Sequence, residues 1–278
     1  MEKLIEIEEL EYEYSDGTKA LKGIDFCIHR GEKLAILGSN GAGKSSFFLT
    51  LNGINKPSKG KVLYKNEPVQ YNKRYLQKLR KNVGIVFQDP DNQIFAPTVY
   101  TEVAFGPLNL GDTEEEVIKK VDEVLINLNI EKLKEKTPHY LSGGQKKKVT
   151  IADVLVMDPE LIIFDEPTAS LDPCNSKNLY RILEQLHALG KTIILSTHDM
   201  DFAYSWADRI VVFHDGRIIG DNNPYKIFND DNLIEESKLC KPKIFEIYKE
   251  LSKYNLINET ECYPKTLEEL KLVISKDK

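Results

Sequence analysis

Gly38, Gly43, Lys44 and Ser45 stand in the order G-x-x-x-x-G-K-S, directly after the apolar run "LAIL" at 34–37. Glycines at that spacing let backbone N–H groups wrap an anion, and a helix that opens at the lysine adds its positive end. The lysine reaches the outer phosphates of a nucleotide, and the serine hydroxyl suits Mg²⁺. Further along, "LIIF" at 161–164 leads into Asp165 and Glu166. Asp165 is placed to support the metal, and Glu166 to orient or deprotonate a water against the terminal phosphate. "VGIVF" at 83–87 leads into Gln88, whose amide oxygen suits Mg²⁺ and the attacking water. "TIILS" at 192–196 leads into Thr197 and His198, and His198 can contact the terminal phosphate and steady Glu166. Taken singly, a glutamine or histidine after a strand is an ordinary loop residue. Each gains meaning beside the glycine-lysine loop.

Such residues need strands that end together. The runs at 34–37, 83–87, 161–164, 192–196 and 210–213 are short and almost wholly apolar, which suits strands buried on both faces of a parallel sheet. In open α/β sheets, ligands bind beyond the carboxyl ends of the strands, where these polar residues fall. Helical patterns lie between the runs. "TEEEVIKKVDEVL" opens with Thr113 and Glu116 at capping-box spacing. "NSKNLYRILEQLHALG" puts Leu179, Ile182, Leu183, Leu186 and Leu189 on one face and stops at Gly190. The alternation predicts an α/β core.

The N-terminal stretch reads differently. Ile5 and Ile7 alternate with polar residues, and so do Leu10, Tyr12 and Tyr14. The phase changes at Glu8–Glu9, which predicts a bulge there. A turn at Ser15–Thr18 and a second alternating strand through Ile24, Phe26 and Ile28 predict a small antiparallel sheet. Tyr14, at the turn, is the better placed of the two tyrosines to stack on a nucleobase. "FHDGRI" predicts a hairpin at Asp215–Gly216. After Gly220 the "DNNP" turn marks a boundary, and residues 225–278 read as helical, with a last helix opened by Thr266 and Glu269.

Composition bounds the function classes. A net charge of -6 argues against a broad basic face for nucleic acid. Cys27, Cys174, Cys240 and Cys262 are scattered, as expected for reduced thiols in a cytosolic protein. The start, "MEKLIEIEEL", has no apolar signal core, and no apolar run is long enough to span a bilayer. The five histidines show no ligand spacing.

A second anion-binding turn lies at "HYLSGGQKKKV", 139–149. Ser142 and Gln145 form a capping box, and Gly143 and Gly144 leave the first N–H groups of a helix unshielded. No lysine occupies the phosphate-reaching position, so the turn is half a site, able to cap a phosphate held by something else. A well-capped helix needs the same residues for its own sake. Lys146, Lys147 and Lys148, which follow, read mainly as a solvated face.

In this order the chain resembles the nucleotide-binding subunit of ATP-binding cassette (ABC) transporters, over about residues 4–220. The match comprises the Walker A loop Gly38–Ser45, the Q-loop Gln88, the signature Leu141–Gln145, Walker B at 161–166, the D-loop Ser170–Asp172 and the switch histidine His198. The resemblance implies a P-loop NTPase cassette with a RecA-like, mostly parallel sheet core. An N-terminal antiparallel β subdomain, a helical signature subdomain and a C-terminal helical extension would complete it, with domains 1–222 and 223–278. It implies ATP and Mg²⁺ as ligands. Tyr14, Gly38, Ser39, Asn40, Gly41, Ala42, Gly43, Lys44, Ser45 and Ser46 would hold the nucleotide. Ser45, Gln88 and Asp165 would hold the metal, and Glu166, His198 and Gln88 would serve catalysis. Two cassettes would pair head to tail, with Ser142, Gly143, Gly144, Gln145 and Asp172 of each closing over ATP bound by the other.

Within the family, "FQDPDNQIFAPTVYTEVAFGPLN" at 87–109 is similar to the ATPases of energy-coupling-factor importers for cobalt, nickel and vitamins, the CbiO-like group. This implies a peripheral ATPase on the cytoplasmic face of the membrane. Its expected partners are an integral membrane subunit and a separate substrate-binding membrane subunit. The expected cargo is cobalt or another metal ion first, a vitamin second. A soluble ABC ATPase of the iron–sulfur assembly type is the alternative. Ser39, Ser46 and Lys148 depart from the commoner proline, threonine and arginine, and the loss of a planar guanidinium fork at Lys148 puts any bidentate contact there in question. Asp153 interrupts an apolar helix where a small residue is more usual.

Overall fold

The computed structural model describes residues 2–169, 171–258 and 263–276. Ser170 of the D-loop and Cys262 lie outside the described residues. In chain order, strands β1 (Lys3–Glu13), β2 (Lys19–His29) and β3 (Lys33–Leu37) precede helix α1 (Lys44–Leu51). Strands β4 (Lys59–Tyr64) and β5 (Glu67–Pro68), helix α2 (Lys73–Asn82) and strand β6 (Val83–Val86) follow. Helices α3 (Val99–Leu110), α4 (Glu114–Asn127) and α5 (Gly143–Leu155) come before β7 (Leu161–Phe164), α6 (Pro173–Ala188) and β8 (Thr192–Ser196). The chain then continues through α7 (Met200–Trp206), β9 (Arg209–His214), β10 (Arg217–Asn222), α8 (Pro224–Phe228), α9 (Asp231–Ser237), α10 (Lys243–Lys253) and α11 (Leu267–Lys276). Two compact units result: Met1–Glu32 with Ser45–Ser196, and Lys33–Lys44 with Thr197–Lys278.

The first unit holds the antiparallel sheet β2-β1-β4-β5. Glu9 has φ +46°, and the pairing of β1 slips there against both neighbours, between Ile7 and Leu10 on one side and Glu8 and Glu11 on the other. This is the bulge that the phase change predicts; it lets Ile7 and Leu10 both face the core. In the same unit β7 pairs in parallel with β6 and β8, and every residue of the three strands is buried. Continuous apolar runs are what two covered faces require. Helices α3, α4 and α5 pack on one another as a helical group. Thr113 and Glu116 form the predicted capping box of α4.

Helix α6 stops at Gly190 as predicted but departs from expectation at its start and at Leu189. It starts two residues earlier, because Asp172 caps it and Pro173 takes the first position, where a missing N–H costs nothing. At its other end Leu189 is 75% exposed, off the face that buries Leu179, Leu183 and Leu186, because the helix closes at Ala188 and Gly190 turns the chain.

In the second unit β3 runs parallel to β9, and β9 turns through Asp215–Gly216 into antiparallel β10. The strands give way to helix between Asn222 and Pro224, where Asn223 caps α8. Buried Tyr248, Ile257 and Leu270 build a core for the tail helices. The tail is also tied to α7 and its end: Lys265 donates to the Ala207 carbonyl at 2.7 Å, and the Lys243 N–H donates to Asp201 at 2.6 Å. Thr266 accepts from the Glu269 N–H at 3.2 Å, opening α11 as predicted. Among the described residues, no helix is long and apolar enough to cross a membrane.

Candidate functional site

The loop between β3 and α1 is built from residues that tolerate close approach. Gly38 has φ +146°, and a Cβ there would meet the Phe213 carbonyl oxygen at 2.3 Å. Only glycine lets the loop leave β3 so near β9. The hairpin after β9 holds the loop from another side, the Gly216 N–H donating to the Ala42 carbonyl at 3.0 Å. Lys44 is buried, and its Nζ donates to the carbonyls of Gly38 at 2.7 Å and Ser39 at 3.2 Å. The ammonium is therefore folded back across the mouth of its own loop. His198 stands beside the same loop, with Nε2 3.1 Å from Oδ1 of Asn40. Ser45 is exposed in the first turn of α1, which has no acidic residue to repel an anion. Ser46, one position on, is buried and shares a 2.7 Å hydrogen bond with the Tyr14 hydroxyl. That bond brings Tyr14, 41% exposed, from the end of β1 to the helix that follows the phosphate loop. Tyr12 meets it edge-on at 5.0 Å.

The first unit gathers the acidic residues. Asp165 and Glu166 follow β7, Asp165 buried and Glu166 partly so, with Glu166 in the left-handed region at φ +42°. Gln88 donates through Nε2 to Oε2 of Glu166 at 3.1 Å. Spacing alone did not single out Ser196, the last residue of β8, which is fully buried. Its hydroxyl donates to Asp165 at 2.7 Å and accepts from the Glu166 N–H at 2.8 Å, so one side chain aligns both acidic residues. The signal was present: a serine closing a buried, mostly apolar run has to find partners. Ser196→Ala is expected to cost about 1–3 kcal/mol, because a buried carboxylate oxygen and a buried N–H each lose their partner. Urea unfolding measures it, and a loss well under that range would mean that the neighbours find other partners.

The donors that the sequence reading assigns to a metal are a hydroxyl (Ser45), an amide oxygen (Gln88) and a carboxylate (Asp165). That hard-oxygen set, with a single carboxylate, fits Mg²⁺ arriving with phosphates better than an all-protein cage. Among the described residues there is no group of three or more His, Cys, Asp or Glu side chains able to hold a metal.

The signature turn is a reciprocal capping box. The Ser142 N–H donates to Gln145 Oε1 at 3.0 Å, and the Gln145 N–H donates to the Ser142 hydroxyl at 3.4 Å. A Cβ on Gly143 would stand in open space, whereas one on Gly144 would meet the Asn175 side chain at 2.8 Å. Asn175 is itself fixed: its N–H and that of Cys174 donate to Asp172, and its side chain donates there too. These bonds hold the Asp172 carboxyl below its usual range.

The lysines after the signature are not a solvated face. Lys147 is buried, and its Nζ donates to the carbonyls of Phe87 at 2.9 Å and Gln88 at 2.7 Å. Burial pulls its ammonium down to about 8, against the attraction of Asp89 and Asp165. The helix turns Lys147 onto the stripe that Thr150, Ile151 and Val154 continue, three, four and seven positions on, a periodicity that could have found it. Lys146 instead pairs with Asp91, and Lys148 donates to the Leu128 carbonyl. Asp153 also has an account. Its Oδ2 lies 3.5 Å from Gln93 Nε2, its Oδ1 is buried without a hydrogen bond among the described residues, and burial raises its carboxyl well above the usual range, with Glu102 adding to the effect.

Residues 21–169 match the model of the ABC transporter family. Over 90% of its length the chain is 48% identical to the energy-coupling factor transporter ATP-binding protein EcfA of Methanocaldococcus jannaschii, covering 90% of that protein. It is 49% identical to EcfA2 of Methanospirillum hungatei, of which it spans 63%. Among solved structures, cbiO1 of Clostridium perfringens, described as part of the ABC transporter complex cbiONQ, aligns with a TM-score of 0.75 at 46% identity, over 90% of this chain and 100% of that one. A dimeric cassette, MJ0796, in a post-hydrolysis state bound to ADP and Pi aligns with a TM-score of 0.73 at 28% identity, over 80% of this chain and 99% of that one.

Proposed function

Because this chain belongs to the ABC transporter family of ATPases, we propose that it is the ATP-hydrolysing subunit of an importer of the energy-coupling-factor type. The observation that carries the reading is the 48% identity to an energy-coupling-factor ATPase over 90% of both chains. Residues 1–222 act as the cassette and 223–278 as a helical extension. Lys44 and the loop Gly38–Ser46 bind the phosphates of ATP, and Tyr14 stacks on the base. Glu166 takes the proton of the attacking water, with Gln88 and His198 placing the reacting groups. Ser45, Gln88 and Asp165 hold Mg²⁺, which when bound neutralises charge on the phosphates. Two copies, or this chain and a related cassette, close head to tail, so that Ser142–Gln145 and Asp172 of each complete the other's site. Hydrolysis reopens the pair, and the movement passes through the Gln88 segment to an integral membrane subunit. A separate membrane subunit captures the cargo, for which cobalt or another metal ion stands before a vitamin.

The test is to isolate the chain from detergent-solubilised membranes of its own host and identify what accompanies it. The expected result is a small polytopic membrane protein together with a second one that binds a metal ion or a vitamin. Recovery with soluble partners alone, and none of the chain in the membrane fraction, would overturn the importer reading and leave a soluble ABC ATPase.

A further inference from the structure

The ladder between β6 and β7 makes its last bond where the Asp165 N–H donates to the Val86 carbonyl at 3.0 Å. Beyond it a side-chain bond joins the two segments, 3.1 Å from Gln88 Nε2 to Glu166 Oε2. The backbone that carries Gln88 is held by something other than the sheet. The next two carbonyls, of Phe87 and Gln88, both accept from Lys147. The Phe87 N–H donates to Gln93 Oε1 at 3.2 Å, and Gln93 in turn donates to the Thr150 carbonyl at 2.9 Å. Lys147 and Thr150 both belong to α5, whose first turn is the signature.

We propose that Lys147 is a positioning residue for ATP hydrolysis: by gripping the Phe87 and Gln88 carbonyls it sets the Gln88 amide against Glu166, and it ties that placement to the signature turn of the same subunit. The inference rests on the reading of Glu166 and Gln88 as hydrolytic residues. Lys147 lies five positions beyond Ser142, about 7.5 Å along a helix whose start is pinned by its capping box. A load on the turn at Gly143 is thus carried by a rigid element to the Gln88 backbone. The burial of the lysine supports the role. A methionine would fill similar space without the cost of desolvating an ammonium, so what the ammonium adds is its pair of bonds to two carbonyls.

The experiment uses the purified full chain with Lys147→Met, Lys147→Gln and Gln93→Leu, and Glu166→Gln as the reference. Kinetic constants for phosphate release, ATP affinity and thermal midpoint are measured for each. Lys147→Met is expected to lower kcat by about 10- to 100-fold, the cost of a misplaced catalytic group, with KM and ATP affinity nearly unchanged. Lys147→Gln, which keeps a donor one atom shorter, restores part of that kcat. Gln93→Leu, which frees the Phe87 N–H while leaving Lys147 in place, shows the same split. An unchanged kcat in Lys147→Met overturns the proposal. So do matched falls in kcat, ATP affinity and thermal midpoint that glutamine does not relieve. If Lys147→Met does not fold, the other two variants decide by the same criterion. Should Glu166→Gln keep full turnover, the hydrolytic reading itself fails; should it lose turnover while Lys147→Met does not, only this inference fails.

Discussion

With glutamine in place of Glu166, ATP turnover falls by about 10²- to 10⁴-fold, the range that a positioned general base supplies. An amide cannot take a proton from water. It can still accept the bond that Gln88 Nε2 gives to Glu166 Oε2, so the local geometry survives the change. The backbone imposes little extra burden, because glutamine and glutamate tolerate the left-handed φ of +42° equally. Nucleotide affinity stays, since the loop from Gly38 to Ser46 is untouched. Phosphate release at saturating ATP, measured beside nucleotide binding, separates the two. Turnover comparable with the unsubstituted chain would remove Glu166 from the mechanism.

The second large effect is expected at the signature. Ser142→Arg places a long cation where a small hydroxyl caps α5, and it removes the acceptor of the Gln145 N–H. If the turn serves ATP held by another cassette, the variant binds nucleotide normally through its own Lys44 loop but no longer pairs in response to ATP. The clean background is Glu166→Gln, in which the paired state accumulates instead of turning over. Sedimentation with and without ATP reads the outcome directly. A Ser142→Arg/Glu166→Gln chain that still dimerises on ATP would sink the in-trans reading.

The strand ends were legible because burial on both faces forces an apolar run, and the first polar residue after such a run marks the mouth of the sheet. Gln88 and Asp165 stand out for that reason, with Glu166 next to Asp165, whereas Lys44 stands out through the glycine spacing before it. The bulge at Glu8–Glu9 was legible from a broken alternation. Other features depended on contacts between distant segments. Gln93 joins Phe87 to Thr150, and nothing in "DPDNQIF" announces it. Lys147 was misassigned because three consecutive lysines resemble a wet surface, although its phase with Ile151 and Val154 placed it inward. Asp153 became intelligible only beside Gln93 and Glu102.

The two glycines of the signature answer to different masters. Gly143 faces open space, so this chain's own fold leaves room for a side chain there. Gly144 is crowded by Asn175, a residue of its own subunit held in place by Asp172. In evolutionary terms, position 144 can drift in lineages where position 175 shrinks with it, because the cost is internal and can be compensated from within. Position 143 has no such correspondent among the described residues, so if the signature closes over another cassette's ATP as proposed, its freedom to vary is set by the history of that other surface.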